Sequence, residues 1–124
     1  MKPLYIEGTD DSPTVTLDPG NNIFEFTGKS MPEDVKEFYT PILDWLLEYY
    51  KNPNPETIIN FNIEYFNSAS AKHILEIIKS LEIILASGNS VLVRWHYFHD
   101  DEDMEESGVT YASICDTPIE LVPH

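Results

Sequence analysis

Cysteine, glycine and basic residues are scarce in this chain, and each scarcity excludes a class of protein. The single cysteine, Cys115, excludes an internal disulfide framework and favours a reducing compartment such as the cytoplasm. The 5 glycines form no glycine-rich phosphate-binding loop. Only 7 lysines and arginines stand against 22 acids, for a net charge of −15. Because a surface of that sign repels phosphate backbones and anionic headgroups, we expect neither nucleic acid nor a membrane as partner.

Long hydrophobic runs are also missing. No stretch approaches the roughly 20 apolar residues of a transmembrane helix, and residues 1–7 lack the apolar core of a signal peptide. The hydrophobic content of 42% and aromatic content of 12% are ordinary for a folded protein. Residues 1–124 are therefore predicted to form a single domain.

Apolar residues follow a pattern that predicts strands alternating with helices. The predicted strands are residues 4–7, 14–18, 23–27, 59–65, 90–97 and 119–122. Short, turn-rich connections between the first three favour an antiparallel meander, and the last strand is expected at a sheet edge. The strand, helix and strand between residues 57 and 97 predict a parallel β-α-β unit.

Two long helices are predicted between these strands. The first begins at Ser30, which can cap it while Glu33 completes a capping box. Pro41 lies inside its apolar series and is expected to kink the helix or divide it into two pieces. The second helix runs from about residue 70 to residue 87 and ends at Gly88.

The central strand indicates how the helices cover the sheet. Its residues alternate between an apolar set, Ile59, Phe61, Ile63 and Tyr65, and a polar set, Asn60, Asn62 and Glu64. Such alternation is typical of a strand with one buried face. The predicted fold is therefore an α/β (α+β) domain with a mixed sheet and two long helices packed mainly on one face.

A cluster of hydroxyl and amide side chains marks the junction between the central strand and the second helix. Asn67, Ser68 and Ser70 can each act as N-cap residues. A helix start presents unpaired N–H groups and the positive end of the macrodipole, so a phosphate there would be stabilised. The junction is thus a predicted switch site, and a simple capped helix is the alternative.

His96, His99 and the acidic residues 100–106 offer an alternative function, a small metal-dependent hydrolase. The acids lack the alternating ligands and central glycine of a calcium loop, which favours a solvated acidic loop, and residues 100–108 are predicted as a short helix or turn. Cys115 could act as a nucleophile, but an idle thiol is the favoured interpretation. No nucleophile elbow is present.

Five segments, in order along the chain, form a more specific pattern. They are Gly8-Thr9 with Pro13, and residues 28–33, 38–45, 64–70 and 93–97. Their Pro-Glu helix start, Tyr-x-Asn-hydroxyl junction and Arg-Trp-His-Tyr strand together resemble the SiaC family of bacterial regulatory phosphoproteins. The resemblance implies a non-enzymatic regulator, without a cofactor, whose fold is similar to the STAS domains of anti-sigma-factor antagonists.

The resemblance also implies partners. Proteins like SiaC are phosphorylated by a dedicated kinase and dephosphorylated by a PP2C-type phosphatase. In the best-known system the unphosphorylated form binds and activates a diguanylate cyclase, which connects the family to cyclic di-GMP and biofilm formation. A kinase, a phosphatase and a possible cyclase target are therefore the expected partners.

Matched residue by residue, the family's phosphorylated threonine falls on Ser68. Serine replaces threonine here, and Ala69 replaces a hydroxyl residue, so Ser70 is a rival acceptor. Asn67 belongs to the environment of the site, and Lys72, one helical turn onward, is a candidate partner for the phosphate. A constitutive scaffold, in which Ser68 merely caps the helix, is the remaining alternative.

Overall fold

The computed structural model describes residues 1–124 and shows a six-stranded sheet with helices on one of its faces. The strands are β1 (Leu4–Ile6), β2 (Thr14–Asp18), β3 (Ile23–Ser30), β4 (Glu56–Phe66), β5 (Ser90–Tyr97) and β6 (Ile119–Pro123). The helices are α1 (Val35–Tyr49), α2 (Ser68–Ser80), α3 (Glu82–Ala86) and α4 (Glu102–Ile114).

The strands lie side by side in chain order, from β1 at one edge to β6 at the other. β1, β2 and β3 form an antiparallel meander, whereas β3, β4, β5 and β6 pair in parallel. The predicted mixed sheet, the parallel pairing of β4 with β5 and the edge position of the last strand are therefore confirmed.

One face of the sheet is buried and the other is open. Along β4, Ile59, Phe61 and Ile63 are buried, whereas Asn62 and Glu64 are exposed. The buried side chains share one hydrophobic core with residues from all four helices. The predicted packing of helices on a single face is thus confirmed, because apolar alternation in a strand directs one set of side chains toward the helices.

The prediction of two long helices is wrong, because α4 is a third one. It has 13 residues, as α2 does, and extends well beyond the short helix or turn predicted at residues 100–108. Its only buried residues are Met104, Gly108 and Tyr111, and its apolar periodicity is weak. The predicted second helix is interrupted at Leu81, which separates α2 from α3, and Gly88 ends α3 with a φ of 89°. None of the helices combines the length and apolarity of a membrane span.

The predicted start of α1 at Ser30 is wrong. Asp34 is the N-cap, and its side chain accepts a hydrogen bond from the Glu37 N–H at 3.0 Å. Ser30 instead ends β3 and is fully buried, because parallel pairing with β4 continues to that residue. The helix runs unbroken through Pro41, so the alternative of two helical pieces is also wrong.

Candidate functional site

The carboxyl ends of β3, β4 and β5 lie along one end of the sheet. We call this end the carboxyl edge, as distinct from the two edge strands β1 and β6. α1, α2 and α4 begin there, because each of them follows one of these strands. The loop between β1 and β2 reaches the same edge, where the Met31 N–H donates to the Asp11 carbonyl oxygen at 2.8 Å. In open α/β sheets, ligands usually bind outside the carboxyl ends of the strands.

Ser68 occupies the first position of α2 and is exposed to solvent. Its hydroxyl forms no hydrogen bond within the chain, because Asn67 supplies the cap: the Asn67 side-chain oxygen accepts from the Ser70 N–H at 2.9 Å. Of the three predicted capping residues, only Asn67 therefore has that role. Ser68 is left with a free hydroxyl beside the unpaired N–H groups of a helix start.

Ser70, only two residues further, has the opposite environment. It is 0% exposed, and its hydroxyl accepts a hydrogen bond from the Ser30 hydroxyl at 2.9 Å. The Ser30 hydroxyl also hydrogen-bonds to the Tyr39 hydroxyl. Burial raises the pKa of Tyr39, although the Ser30 and Ser70 hydroxyls oppose the shift. Ser70 is therefore one of three hydroxyl residues that satisfy each other inside the protein.

The backbone that bears Ser68 is held from several sides. The Ser30 carbonyl oxygen accepts a hydrogen bond from the Asn67 N–H at 3.1 Å, just before Ser68. The Tyr111 hydroxyl, on α4, donates to the Ala71 carbonyl oxygen at 3.0 Å, just after it. Burial raises the pKa of Tyr111 to about 12. Ser68 thus lies on a fixed backbone whose neighbours are anchored to β3 and α4.

Two lysines near the junction are free to pair with an anion. Lys72 is exposed and lies four residues after Ser68, on the same side of the helix. Lys29 is exposed at the end of the neighbouring strand β3. The only ion pairs in the chain are those of Lys51 with Glu48 and of Arg94 with Glu120. Neither lysine at the junction is therefore neutralised by a carboxylate.

A β-bulge interrupts β4 just before the junction. Gly28 pairs with Ile63 and Lys29 pairs with Tyr65, so Glu64 has no partner on β3. The extra residue reverses the alternation, and Tyr65, predicted to share the apolar face, is 52% exposed instead.

Phe66, the residue after Tyr65, faces the hydrophobic core. Phe66 packs against the core, with its ring centroid 6.0 Å from that of Trp95. The period of two from which β4 was predicted could not reveal this change of side-chain direction, because nothing in the alternating pattern marks Glu64 as unpaired.

The histidines and acids of the alternative metal site are brought together only in part. His96 Nε2 lies 2.8 Å from the Asn60 side-chain oxygen, and His96 Nδ1 lies 2.8 Å from His124 Nε2. His99 Nδ1 lies 2.7 Å from the His124 carbonyl oxygen. No group of three or more histidine, cysteine or acidic side chains is arranged to hold a metal ion.

The acidic run belongs mainly to a helix. Asp101 caps α4 by accepting from the Met104 N–H at 3.0 Å, and the following acids fill its first turn. The expectation of a solvated loop is therefore wrong for most of the run. Negative charge is favourable at this place because it interacts with the positive end of the helix dipole.

Cys115 is at the end of α4 and is buried. Burial raises the pKa of its thiol, which keeps it protonated and unreactive near neutral pH. The structure therefore gives no support to a nucleophilic role for this residue.

Comparison with known proteins gives a consistent result over nearly the whole chain. Residues 6–124 match the family model described as SiaC family regulatory phosphoprotein. An uncharacterised protein of Pseudomonas aeruginosa strain UCBPP-PA14 is 26% identical over 124 residues, which cover 100% of this chain and 98% of that protein.

Two solved structures from Pseudomonas aeruginosa are similar to the chain. The first is that of diguanylate cyclase SiaD in complex with its activator SiaC, in which one chain superposes with a TM-score of 0.90 at 26% identity; 98% of this chain and 99% of that chain are covered. The second, of SiaC, has a TM-score of 0.88 at 25% identity, and both chains are covered fully, at 100%. The mixed sheet and its helices are therefore those of SiaC structures.

Proposed function

This chain belongs to the SiaC family of regulatory phosphoproteins, and we propose that reversible phosphorylation of Ser68 switches its binding to a partner. A member of this family is a regulator of other proteins and is not itself an enzyme. The observation that supports the proposal is the position of Ser68. It is the first residue of α2, it is exposed, and its hydroxyl forms no hydrogen bond within the chain. A kinase needs such access to the acceptor hydroxyl.

The surroundings of Ser68 suit a phosphate. Phosphorylation adds about −1.5 to −2 charges at neutral pH, and the start of a helix stabilises an anion by about 0.3–1 kcal/mol. Lys72 and Lys29, which have no carboxylate partner, are the cations that would accompany the new charge. The protein can thus accept the modification without unfolding the junction.

Ser70 does not suit the same role. A phosphate on its hydroxyl would replace the hydrogen bond from Ser30 and place about two negative charges in a site that is 0% exposed. Burying unpaired charge is strongly unfavourable, so the kinase reaction at Ser70 would require the first turn of α2 to open. Ser68 is therefore our preferred acceptor.

The proposed partners are a kinase and a PP2C-type phosphatase that act on Ser68, and a diguanylate cyclase that the unphosphorylated form binds and activates. The cyclase is proposed because the similar SiaC chain occurs in a complex with SiaD, whose activator it is. We place these reactions in the cytoplasm, the compartment that the single free thiol favours. The relationship to STAS domains remains a prediction, based on a shared acceptor position where a strand meets a helix.

Mass spectrometry tests the acceptor. The wild type, Ser68→Ala and Ser70→Ala proteins are incubated with ATP and the SiaC-type kinase encoded in the same genome, and phosphopeptides are mapped. We expect one phosphate on Ser68 in the wild type and in Ser70→Ala, and none in Ser68→Ala. Phosphate on another residue of the wild type would contradict the assignment.

Calorimetry with the purified diguanylate cyclase of the same genome tests the switch. We expect the phosphorylated wild type and Ser68→Asp to bind at least tenfold more weakly than Ser68→Ala, a difference of about 1.4 kcal/mol. Equal affinities for the phosphorylated and unphosphorylated wild type would show that the phosphate does not control binding.

A further inference from the structure

Two large aromatic side chains are exposed at the carboxyl edge, at the ends of the neighbouring strands β4 and β5. Tyr65 is 52% exposed, and Phe98, which follows β5 directly, is 58% exposed. The two strand ends are close together, since Glu64 and Phe98 line the same small cavity of about 20 Å³. Exposed aromatic residues at one place are characteristic of the centre of a protein–protein interface.

The exposure of both rings follows from fixed backbone geometry. Without the bulge at Glu64, the alternation of β4 would direct Tyr65 toward the core. Phe98 lies in a turn in which the Asp101 N–H donates to the Phe98 carbonyl oxygen at 2.8 Å, and Asp101 in turn caps α4. Because bulges commonly redirect a side chain beside a functional site, we interpret the outward position of Tyr65 as functional.

Ser68 lies within reach of any protein that covers these rings. Ser68 is three positions after Tyr65, so their Cα atoms are at most about 11 Å apart. A standard interface buries about 800 Å² on each partner, which is wide enough to include both residues. A phosphate on Ser68 would then lie inside the interface, where it would be desolvated beside an aromatic ring.

The charge around Phe98 indicates the chemistry of the partner. Phe98 borders an open depression of about 450 Å³, and the other residues that line it are Asp100, Asp101, Glu102 and Asp103. Both ion pairs of the chain lie elsewhere, so these carboxylates are not neutralised by a lysine or arginine. A surface that covers Phe98 without opposing charge would leave them desolvated and unpaired, at a cost in free energy.

We propose that Tyr65 and Phe98 form a docking patch for the diguanylate cyclase, and that the cyclase contacts it with apolar groups for the rings and with lysine or arginine side chains for residues 100–103. This inference rests on the proposed function, because it specifies the surface by which the unphosphorylated protein binds its target. The rings supply the anchor beside Ser68, and the acids beyond Phe98 supply complementary charge.

Calorimetry with the purified cyclase of the same genome tests the patch. We expect Tyr65→Ala and Phe98→Ala each to weaken binding at least tenfold, while Tyr65→Phe binds within threefold of the wild type. Ile83→Ala is the matched control, because Ile83 is an apolar side chain that is 47% exposed on α3, away from the carboxyl edge. It should bind within twofold of the wild type.

Salt dependence tests the charge of the partner. The wild type should lose affinity as NaCl rises from 50 to 300 mM, and the double substitution Asp100→Asn and Asp103→Asn should both weaken binding and reduce that loss. Unchanged affinity of the Tyr65→Ala, Phe98→Ala double variant would overturn the patch while leaving the proposed function intact. Failure of the wild type to bind the cyclase would overturn the proposed cyclase partner and this inference together.

Discussion

The Ser30 hydroxyl donates a hydrogen bond to the Ser70 hydroxyl at 2.9 Å in the interior, although the two residues are forty positions apart. The bond joins the end of β3 to the first turn of α2. Since the Ser30 carbonyl oxygen also accepts from the Asn67 N–H, one residue of β3 holds the chain on both sides of Ser68. The presentation of the exposed hydroxyl therefore depends on a side chain that solvent never reaches.

Ser30→Ala should lower the free energy of unfolding by about 1–3 kcal/mol. The substitution removes a partner from the buried hydroxyls of Tyr39 and Ser70, and unsatisfied buried polar groups cost about that much. Urea unfolding followed by circular dichroism measures the change. Ser113→Ala, at an exposed serine of α4, is the control and should stay within about 0.5 kcal/mol of the wild type.

Asn67→Ala and Ser68→Ala should separate the cap of α2 from its acceptor. Asn67→Ala removes the N-cap hydrogen bond and should cost about 0.5–2 kcal/mol of stability, whereas Ser68→Ala should change it by less than about 0.5 kcal/mol. Asn67→Asp, which keeps an acceptor oxygen, should retain most of the stability. Thermal unfolding measures all three, and a large loss in Ser68→Ala would instead support the scaffold alternative in which Ser68 is the cap.

Gly108→Ala should destabilise the protein although alanine favours helices. A Cβ at this position would lie 2.5 Å from Trp95 Cδ1 and 2.6 Å from Leu121 Cδ2, and the Trp95 ring is held by a hydrogen bond from its Nε1 to the Met104 carbonyl oxygen. Overpacking of this kind costs about 1–3 kcal/mol.

Urea unfolding measures the effect, with Gly20→Ala as control. At Gly20 the nearest atom to an added Cβ is 3.6 Å away, so stability there should change by less than about 0.5 kcal/mol. Equal stability of the two variants would mean that α4 can move away from the sheet without cost.

Stability should fall below about pH 6.5 in a way that depends on His96. Burial lowers the pKa of His96, and His124 and Arg94 add to the shift, while Glu120 and Glu25 oppose it. Neutral His96 can donate from Nε2 to the Asn60 side-chain oxygen and accept at Nδ1 from His124 Nε2. A second proton would make His96 Nδ1 a donor, so His124 would have to change tautomer to keep this hydrogen bond.

Because the folded pKa is below the unfolded value, the unfolded chain binds more protons as the pH falls through this range. The stabilisation by neutral His96 is therefore complete above the unfolded pKa and is lost as the pH decreases toward the folded pKa. Urea unfolding at pH 7.5 and 5.5 should show a larger loss for the wild type than for His96→Asn. The same loss in both proteins would assign the pH dependence to other groups.

The sequence was sufficient where one local signal decides the structure. The apolar patterns and turn residues predicted all six strands, and β1, β2, β5 and β6 were predicted to within one residue at each end. Gly88 marked a helix end. The family resemblance indicated Ser68 as the acceptor, and the exposure of that residue is compatible with the role.

The sequence was insufficient where a long-range contact overrides a local signal. Ser30 has the spacing of a helix cap but pairs with β4 and packs against Tyr39 and Ser70, which no local pattern reveals. The bulge at Glu64 depends on pairing with β3, so a period of two continued through it and misplaced Tyr65. α4 was underestimated because acids fill its first turn and few of its residues reach the core.

The unpaired Glu64 separates two parts of β4 that differ in their pattern of buried and exposed side chains. Before Glu64, exposed or half-buried side chains alternate with buried ones, whereas Glu64 and Tyr65 are two consecutive exposed positions. Because neither side chain belongs to the hydrophobic core, substitutions at these two positions should change the surface that a partner meets while leaving the core intact. Two such regulators in one cell could therefore bind different partners if they differed in the side chains at these two positions.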